Sequence, residues 1–174
     1  MNRPGVTTII SADSLEQRVT ELSKEIDLWL KKEPVIAVCV LKSGFVFYSD
    51  LVRKIDSPIV CEFIAMQSHE TLDTRTGEMQ IVLDCRIDVS GKNVLLIDDL
   101  VGTGFTLSYL LRVFKGRQAK SVKTCALATK QKRSVIPLSI DFVGFTLEDK
   151  FYVGYGMDYC GWFRELPILG VPET

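Results

Sequence analysis

Residues 34–55 read PVIAVCVL, then KSG, then FVFYSDLVRKI, and this succession constrains the fold more than any other feature of the chain. The first run is short, continuously apolar and rich in valine. Its length and β-branching favour a strand buried on both faces, as in a parallel sheet covered by helices. Three polar or small residues break it, and 45–55 then returns to apolar spacing of three and four, the helical period. The unit is strand, tight turn, helix, and it recurs. KNVLLI (92–97) predicts a strand ending on the acids that follow it, and FTLSYLLRVFKGR (105–117) a helix. PIVCEFIAM (58–66), IVLDCRI (81–87), SVKTCALATK (121–130) and IDFVGFTL (140–147) read as further strands, and FYVGYGMD (151–158) as a last apolar stretch. Ahead of them, 11–32 sets Leu15, Val19, Leu22, Ile26 and Leu30 at helical spacing behind a Ser or Asp cap. The polar segment QSHETLDTRTGEMQ (67–80) has little to bury and reads as an exposed loop between strands. Strands alternating with helices predict an α/β fold, a mainly parallel sheet flanked by helices. With 174 residues and no internal repeat or linker, 1–174 reads as a single domain.

Ligands of such sheets bind outside the carboxyl ends of the strands. Three informative stretches fall at junctions of that kind: 41–44, 98–106 and 129–132, and the loop 67–80 is placed to cover the same crevice. The second of them, DDLVGTGFT, follows an apolar strand with Asp98 and Asp99 and then with Gly102, Thr103, Gly104 and Thr106. Small residues let the backbone approach a ligand, and a helix starting near Phe105 turns free N–H groups toward the loop, which makes an anion site. A ligand with a diol at one end and a phosphate at the other satisfies both halves, as a sugar phosphate does. The loop is not a P-loop, because Phe105 and not lysine follows Gly104, and it lacks dinucleotide-fingerprint spacing. Phosphate recognition has to be local: a net charge of −1 and a pI near 5.9 leave no basic excess for a nucleic-acid partner. No run of about 18 apolar residues predicts a membrane span. The opening MNRPGVTTIISADS has no secretory pattern, and five scattered cysteines without a C-x-x-C pair fit a reducing, cytoplasmic setting. The single histidine, His69, has no ligand cluster around it, which argues against zinc.

VLLIDDLVGTGFT resembles the phosphoribosyl-pyrophosphate-binding motif of the type I phosphoribosyltransferases. VLKSGFVFYSDLVRKI and FVGFTLEDKFYVGYGMDYCGWFRELPILG are similar to two segments of their hypoxanthine-guanine branch. The matches lie in order from about residue 35 to 170. The resemblance implies that fold with a small hood region at the termini, and transfer of a phosphoribosyl group from phosphoribosyl pyrophosphate to hypoxanthine or guanine. The products are the nucleoside 5′-monophosphate and pyrophosphate, and Mg2+ is required. It implies that Asp98 and Asp99 bracket the ribose hydroxyls, and that Val101, Gly102, Thr103, Gly104, Phe105 and Thr106 hold the 5′-phosphate. Leu41, Lys42, Ser43 and Gly44 form the pyrophosphate turn, with a cis peptide at Leu41–Lys42. Lys130 meets the purine 6-oxo group, Phe151 stacks on the base and Tyr152 adds backbone contacts; from the residues alone Phe151 would be placed in the core. Asp158 accompanies the acid pair as a metal-site carboxylate, and Arg164 contacts pyrophosphate. A homodimer or homotetramer is also implied, with the turn at Lys42 near the interface.

Three positions depart from the pattern. The family's general base, an aspartate three residues after the second acid, is Gly102 here, which puts proton handling at the purine in question while leaving phosphoribosyl binding intact. Adenine and orotate phosphoribosyltransferases also carry a small residue or threonine there. In the mobile loop the family's Ser-Tyr is Ser68-His69. Glu148 replaces a proline in EDKF, a minor change. Gly102 is also the feature that admits a second function: a protein that senses nucleotide or phosphoribosyl pyrophosphate with little or no turnover.

Overall fold

The computed structural model describes residues 4–68, 79–130 and 138–173. In chain order the elements are β1 (Val6–Ile10), α1 (Ala12–Leu30), β2 (Val35–Leu41), α2 (Phe45–Val52), β3 (Ile59–Ser68), β4 (Met79–Leu83), β5 (Asn93–Val101), α3 (Phe105–Gly116), β6 (Ser121–Lys130), β7 (Phe142–Leu147) and β8 (Leu169–Pro172). Six strands form one sheet in the order β4-β3-β2-β5-β6-β7, parallel except for the antiparallel edge strand β4. β1 and β8 pair antiparallel as a separate ribbon that joins the two ends of the chain. The α/β expectation with a hood at the termini holds.

The period-two alternation of strand side chains divides the core into two layers. Val35, Ala37, Cys39, Leu95 and Ile97 pack with α1 and with Phe47 and Leu51 of α2. Ile36, Val38, Val94 and Leu96 face the other way onto Leu107, Leu110 and Phe114 of α3. β2 and β5 therefore bury both faces, which is why their sequences are unbroken apolar runs. The chain leaves β2 outward to β3 and later returns to β2's other side as β5. That reversal opens a crevice at the carboxyl ends of β2 and β5, where ligands of open α/β sheets bind.

Ser11 caps α1 by accepting from the Ser14 N–H at 3.2 Å. Near the helix's other end the Asp27 carboxylate accepts from the Asp56 and Ser57 N–H groups, each at 2.9 Å, and from the Ser57 hydroxyl at 2.6 Å. Burial pulls the Asp27 carboxyl up, but these hydrogen bonds outweigh it and hold the group below its ordinary value.

Three segments differ from the sequence expectation. The strand expected over 81–87 is β4, Met79–Leu83; the Cys85 N–H donates to the Asp84 side chain at 2.7 Å, a local bond that replaces a ladder partner. The strand expected over 92–97 runs on through both acids to Val101, because its ladder with β6 continues to the pair Val101↔Thr129. The apolar stretch 151–158 keeps Val153, Tyr155 and Met157 buried, as its composition suggests, while φ of 92°, 49° and 101° at Gly154, Tyr155 and Gly156 turns the chain. Of the loop expected over 67–80, Gln67 and Ser68 belong to β3 and Met79 and Gln80 to β4; 69–78, including His69, lie outside the described residues. No helix among the described residues is long and apolar enough to cross a membrane.

Candidate active site

The carboxyl ends of β2, β5 and β6 lie side by side, with Cys39 opposite Ile97 and Val101 opposite Thr129. Each carries one part of the site.

At the end of β5, Asp98 and Asp99 are 8% and 7% exposed, and the Asp99 N–H donates to an Asp98 carboxylate oxygen at 3.0 Å. Burial, reinforced by the negative charge of Asp99, lifts the Asp98 carboxyl well above the ordinary carboxylate range. Two acids this close and this dry are costly unless something positive or proton-donating joins them. Asp98 and the residues beyond the pair, from Leu100 to Leu107 except Phe105, line a cavity of about 260 Å³. The Ser108 N–H makes the first bond of α3, to the Gly104 carbonyl at 3.0 Å, so the amides just before it are open to an anion at the cavity floor. Gly104 has φ 83°, a left-handed turn that suits glycine and aims those amides. Among the described residues Gly102 is not one of the left-handed glycines.

At the end of β2 the Leu41–Lys42 peptide is cis, as the family pattern implied. Lys42 is exposed, Ser43 half-buried and Gly44 buried as the residue preceding α2. The C-terminal segment packs directly on this turn. Gly156 sits so close to the Ser43 carbonyl that a Cβ there would overlap it. Arg164 clasps the same segment: its guanidinium donates to the Gly156 carbonyl at 2.7 Å, and its carbonyl accepts from the Gly156 N–H at 3.0 Å. The guanidinium also pairs with Asp158 at 2.6 Å, and the second Asp158 oxygen accepts from the Gly161 N–H at 2.8 Å. Arg164, Asp158 and the 41–44 turn thus form one unit, joined across more than a hundred residues of sequence.

At the end of β6 the Lys130 side chain is only 8% exposed, and its Nζ lies 3.0 Å from an Asp149 carboxylate oxygen. Phe151, two residues on, is 55% exposed, which corrects the core placement its residue type suggests. Its ring meets Tyr159 edge-on, with centroids 5.8 Å apart. Tyr152 is buried, and its hydroxyl donates to the Glu148 carbonyl at 3.2 Å. Ser68 ends β3. Asp149, Gly156 and Tyr159 were not singled out in the sequence, although all three lie in segments carrying the family pattern; their parts depend on contacts, which spacing does not encode.

Two carboxylates beside an amide cradle suit a diol phosphate, and a nearly buried ammonium beside an exposed ring suits a flat carbonyl-bearing group. Comparison with known proteins agrees with that reading. The family model for the phosphoribosyl transferase domain matches residues 6–160. The hypoxanthine-guanine phosphoribosyltransferase of Bacillus subtilis is 36% identical over 163 residues, 94% of this chain and 91% of that protein. Its counterpart in Aquifex aeolicus is 37% identical over 166 residues, 95% of this chain and 93% of that one. The crystal structure of a hypoxanthine-guanine phosphoribosyltransferase from Bacillus anthracis superposes with a TM-score of 0.92 at 33% identity, covering 96% of this chain and 98% of that one. The chain belongs to the hypoxanthine-guanine phosphoribosyltransferase family.

Proposed function

We propose that the chain is one purine-salvage phosphoribosyltransferase domain, converting a 6-oxopurine and phosphoribosyl pyrophosphate to the nucleoside 5′-monophosphate and pyrophosphate. The observation that carries this is the buried Asp98–Asp99 pair, with Asp98 in the wall of the cavity formed by the loop that follows, in a chain of this family. Asp98 and Asp99 hold the ribose hydroxyls, whose O–H donors relieve two crowded carboxylates. The 101–106 segment holds the 5′-phosphate through backbone amides and the Thr103 and Thr106 hydroxyls. The 41–44 turn and Arg164 face the pyrophosphate, and Arg164 stabilises charge as it departs. Lys130 donates to the purine 6-oxo oxygen, Phe151 stacks on the ring, and Tyr152 contributes its backbone. The purine nitrogen bonds to the anomeric carbon, the bond from that carbon to pyrophosphate breaks, and a proton leaves the purine. Gly102 offers no carboxylate to take that proton.

The donor set fits Mg2+. Among the described residues no cluster of three or more acids, histidines or cysteines forms a protein-only metal cage. Magnesium instead takes one or two carboxylates together with substrate oxygens and water, and on this reading Asp98, Asp99 and Asp158 would supply the carboxylates. When bound it neutralises the charge of the pyrophosphate. On the same reading it acts in the cytoplasm as a homodimer or homotetramer.

The regulatory alternative rests on Gly102, and relatives named as enzymes do not favour it. Steady-state assays with phosphoribosyl pyrophosphate, Mg2+ and, in turn, hypoxanthine, guanine, xanthine and adenine decide between them. Nucleotide formation from hypoxanthine or guanine is expected. Tight nucleotide binding with no turnover on any base would establish the regulatory reading instead.

A further inference from the structure

We infer that Asp149 is the positioning residue of purine recognition: its carboxylate holds the Lys130 ammonium so that the remaining N–H donors meet the 6-oxo group. The inference rests on the assignment of Lys130 as the base reader. A lysine has four rotatable bonds and a compact charge, and left alone it samples many directions. Lys130 is also nearly buried, and a buried ammonium needs a fixed partner. Asp149 supplies one at 3.0 Å. One of three N–H donors is thereby committed, and the other two are left for a ligand.

The placement of Asp149 is set by the sheet. Lys130 and Leu147 are register partners at the last step of the β6–β7 ladder, and Asp149 stands two residues past Leu147. The neighbouring Lys150 pairs with Glu148 at 2.7 Å and does not compete for the Asp149 carboxylate through that contact. Phe151 follows in the same turn, with its ring edge-on to Tyr159. The stacking ring is carried by the segment after β7, and Asp149 of that segment ties it to the ammonium at the end of β6. A fixed cationic donor rewards an acceptor at the purine 6-position and opposes an amino group there. The carboxylate thereby sharpens the choice of oxopurine over aminopurine without touching the base.

Equilibrium binding of inosine 5′-monophosphate, adenosine 5′-monophosphate and ribose 5-phosphate separates this from a structural role. The proteins are the wild type, Asp149→Ala, Asp149→Asn, Lys130→Ala and the Asp149→Ala/Lys130→Ala double variant. Asp149 is half exposed, so its truncation leaves no void in the core. Asp149→Ala is expected to weaken inosine monophosphate binding roughly tenfold, leaving the other two ligands unchanged. Asp149→Asn, which keeps an acceptor oxygen, is expected to restore most of the loss, and Asp149→Ala is expected to add nothing once Lys130 is gone. Equal weakening of all three ligands, or additive losses in the double variant, would overturn the positioning role. A Lys130→Ala protein with the wild-type preference for inosine over adenosine monophosphate would overturn the base-reader assignment, and the inference with it.

Discussion

At Gly102 the site lacks the carboxylate that the family pattern implies near the purine, and the backbone there is not in the left-handed region. The left-handed position in the loop is Gly104, so a side chain at 102 does not enter a region reserved for glycine. Gly102→Asp is therefore expected to raise kcat with hypoxanthine or guanine by about tenfold or more, within the range of general acid–base assistance. Affinity for phosphoribosyl pyrophosphate should stay unchanged, because in the proposed binding mode the loop meets phosphate mainly through backbone amides. Reduced phosphate affinity would show instead that the loop tolerates no side chain. A few residues earlier, Asp98 carries the opposite problem, a charge with too little solvent. Its folded-state carboxyl titrates above the unfolded one, so this group favours the folded state fully only below the unfolded value, near 4. That contribution is lost as pH rises through the folded value. Asp98→Asn keeps the oxygen that accepts from the Asp99 N–H and removes the charge. The ligand-free variant is expected to melt about 2–4 °C higher than wild type at pH 7.5, with the gap closing toward pH 4. A melting point unchanged or lowered at pH 7.5 would show that the buried charge is already compensated.

Among the elements, those with an unmixed period were legible in the sequence and those ended by tertiary contacts were not. α1 and β2 follow from spacing alone, since one amphipathic stripe or one apolar run admits a single packing. β5 was expected to stop at its acids because charge signals exposure, yet pairing with β6 carries it through Asp98 and Asp99 to Val101. The 151–158 stretch was legible only as apolar, because periodicity does not report a positive φ at Gly154 or Gly156. The end of α1 offers a test at this scale. Asp27 ties that helix to the start of β3 through three hydrogen bonds, one carboxylate serving two backbone amides and a hydroxyl. Asp27→Ala leaves those donors without it and is expected to cost about 1–3 kcal/mol in urea unfolding at neutral pH. Because the folded carboxyl titrates below its unfolded value, the stabilisation is present above the unfolded pKa. It is lost as pH falls through the folded pKa, so the difference between variant and wild type should shrink in acid. A difference independent of pH would point to packing and not to the charge.

For the molecule as a whole, the acid pair and the small-residue loop were visible as a local motif, but the union of Ser43, Gly156, Arg164 and Asp158 joins residues that only the fold brings together. The same holds for surfaces that look outward. On the face of β3 that α1 and α2 share, Cys61 and Phe63 alternate toward solvent, and Phe63 is 41% exposed while its ring packs on Tyr48 at 5.4 Å. Tyr48 lies one turn beyond Phe45, itself 44% exposed and immediately after the 41–44 turn. Large rings at the surface near the 41–44 turn suit a subunit contact, and the edge strand β4 adds exposed Val82 and Leu83. An interface here would let one protomer support the other's 41–44 turn, which gives assembly a route to substrate affinity. Phe63→Glu puts a charge into that contact, where burial without a partner is costly. Wild type is expected to sediment as a dimer or larger species of the 19.6 kDa chain, and the variant as the 19.6 kDa monomer with weakened binding of phosphoribosyl pyrophosphate. The variant should remain folded, because Phe63 lies at the surface. Sedimentation of the wild type as monomer alone would remove the assembly, and an undissociated variant would move the interface to another face.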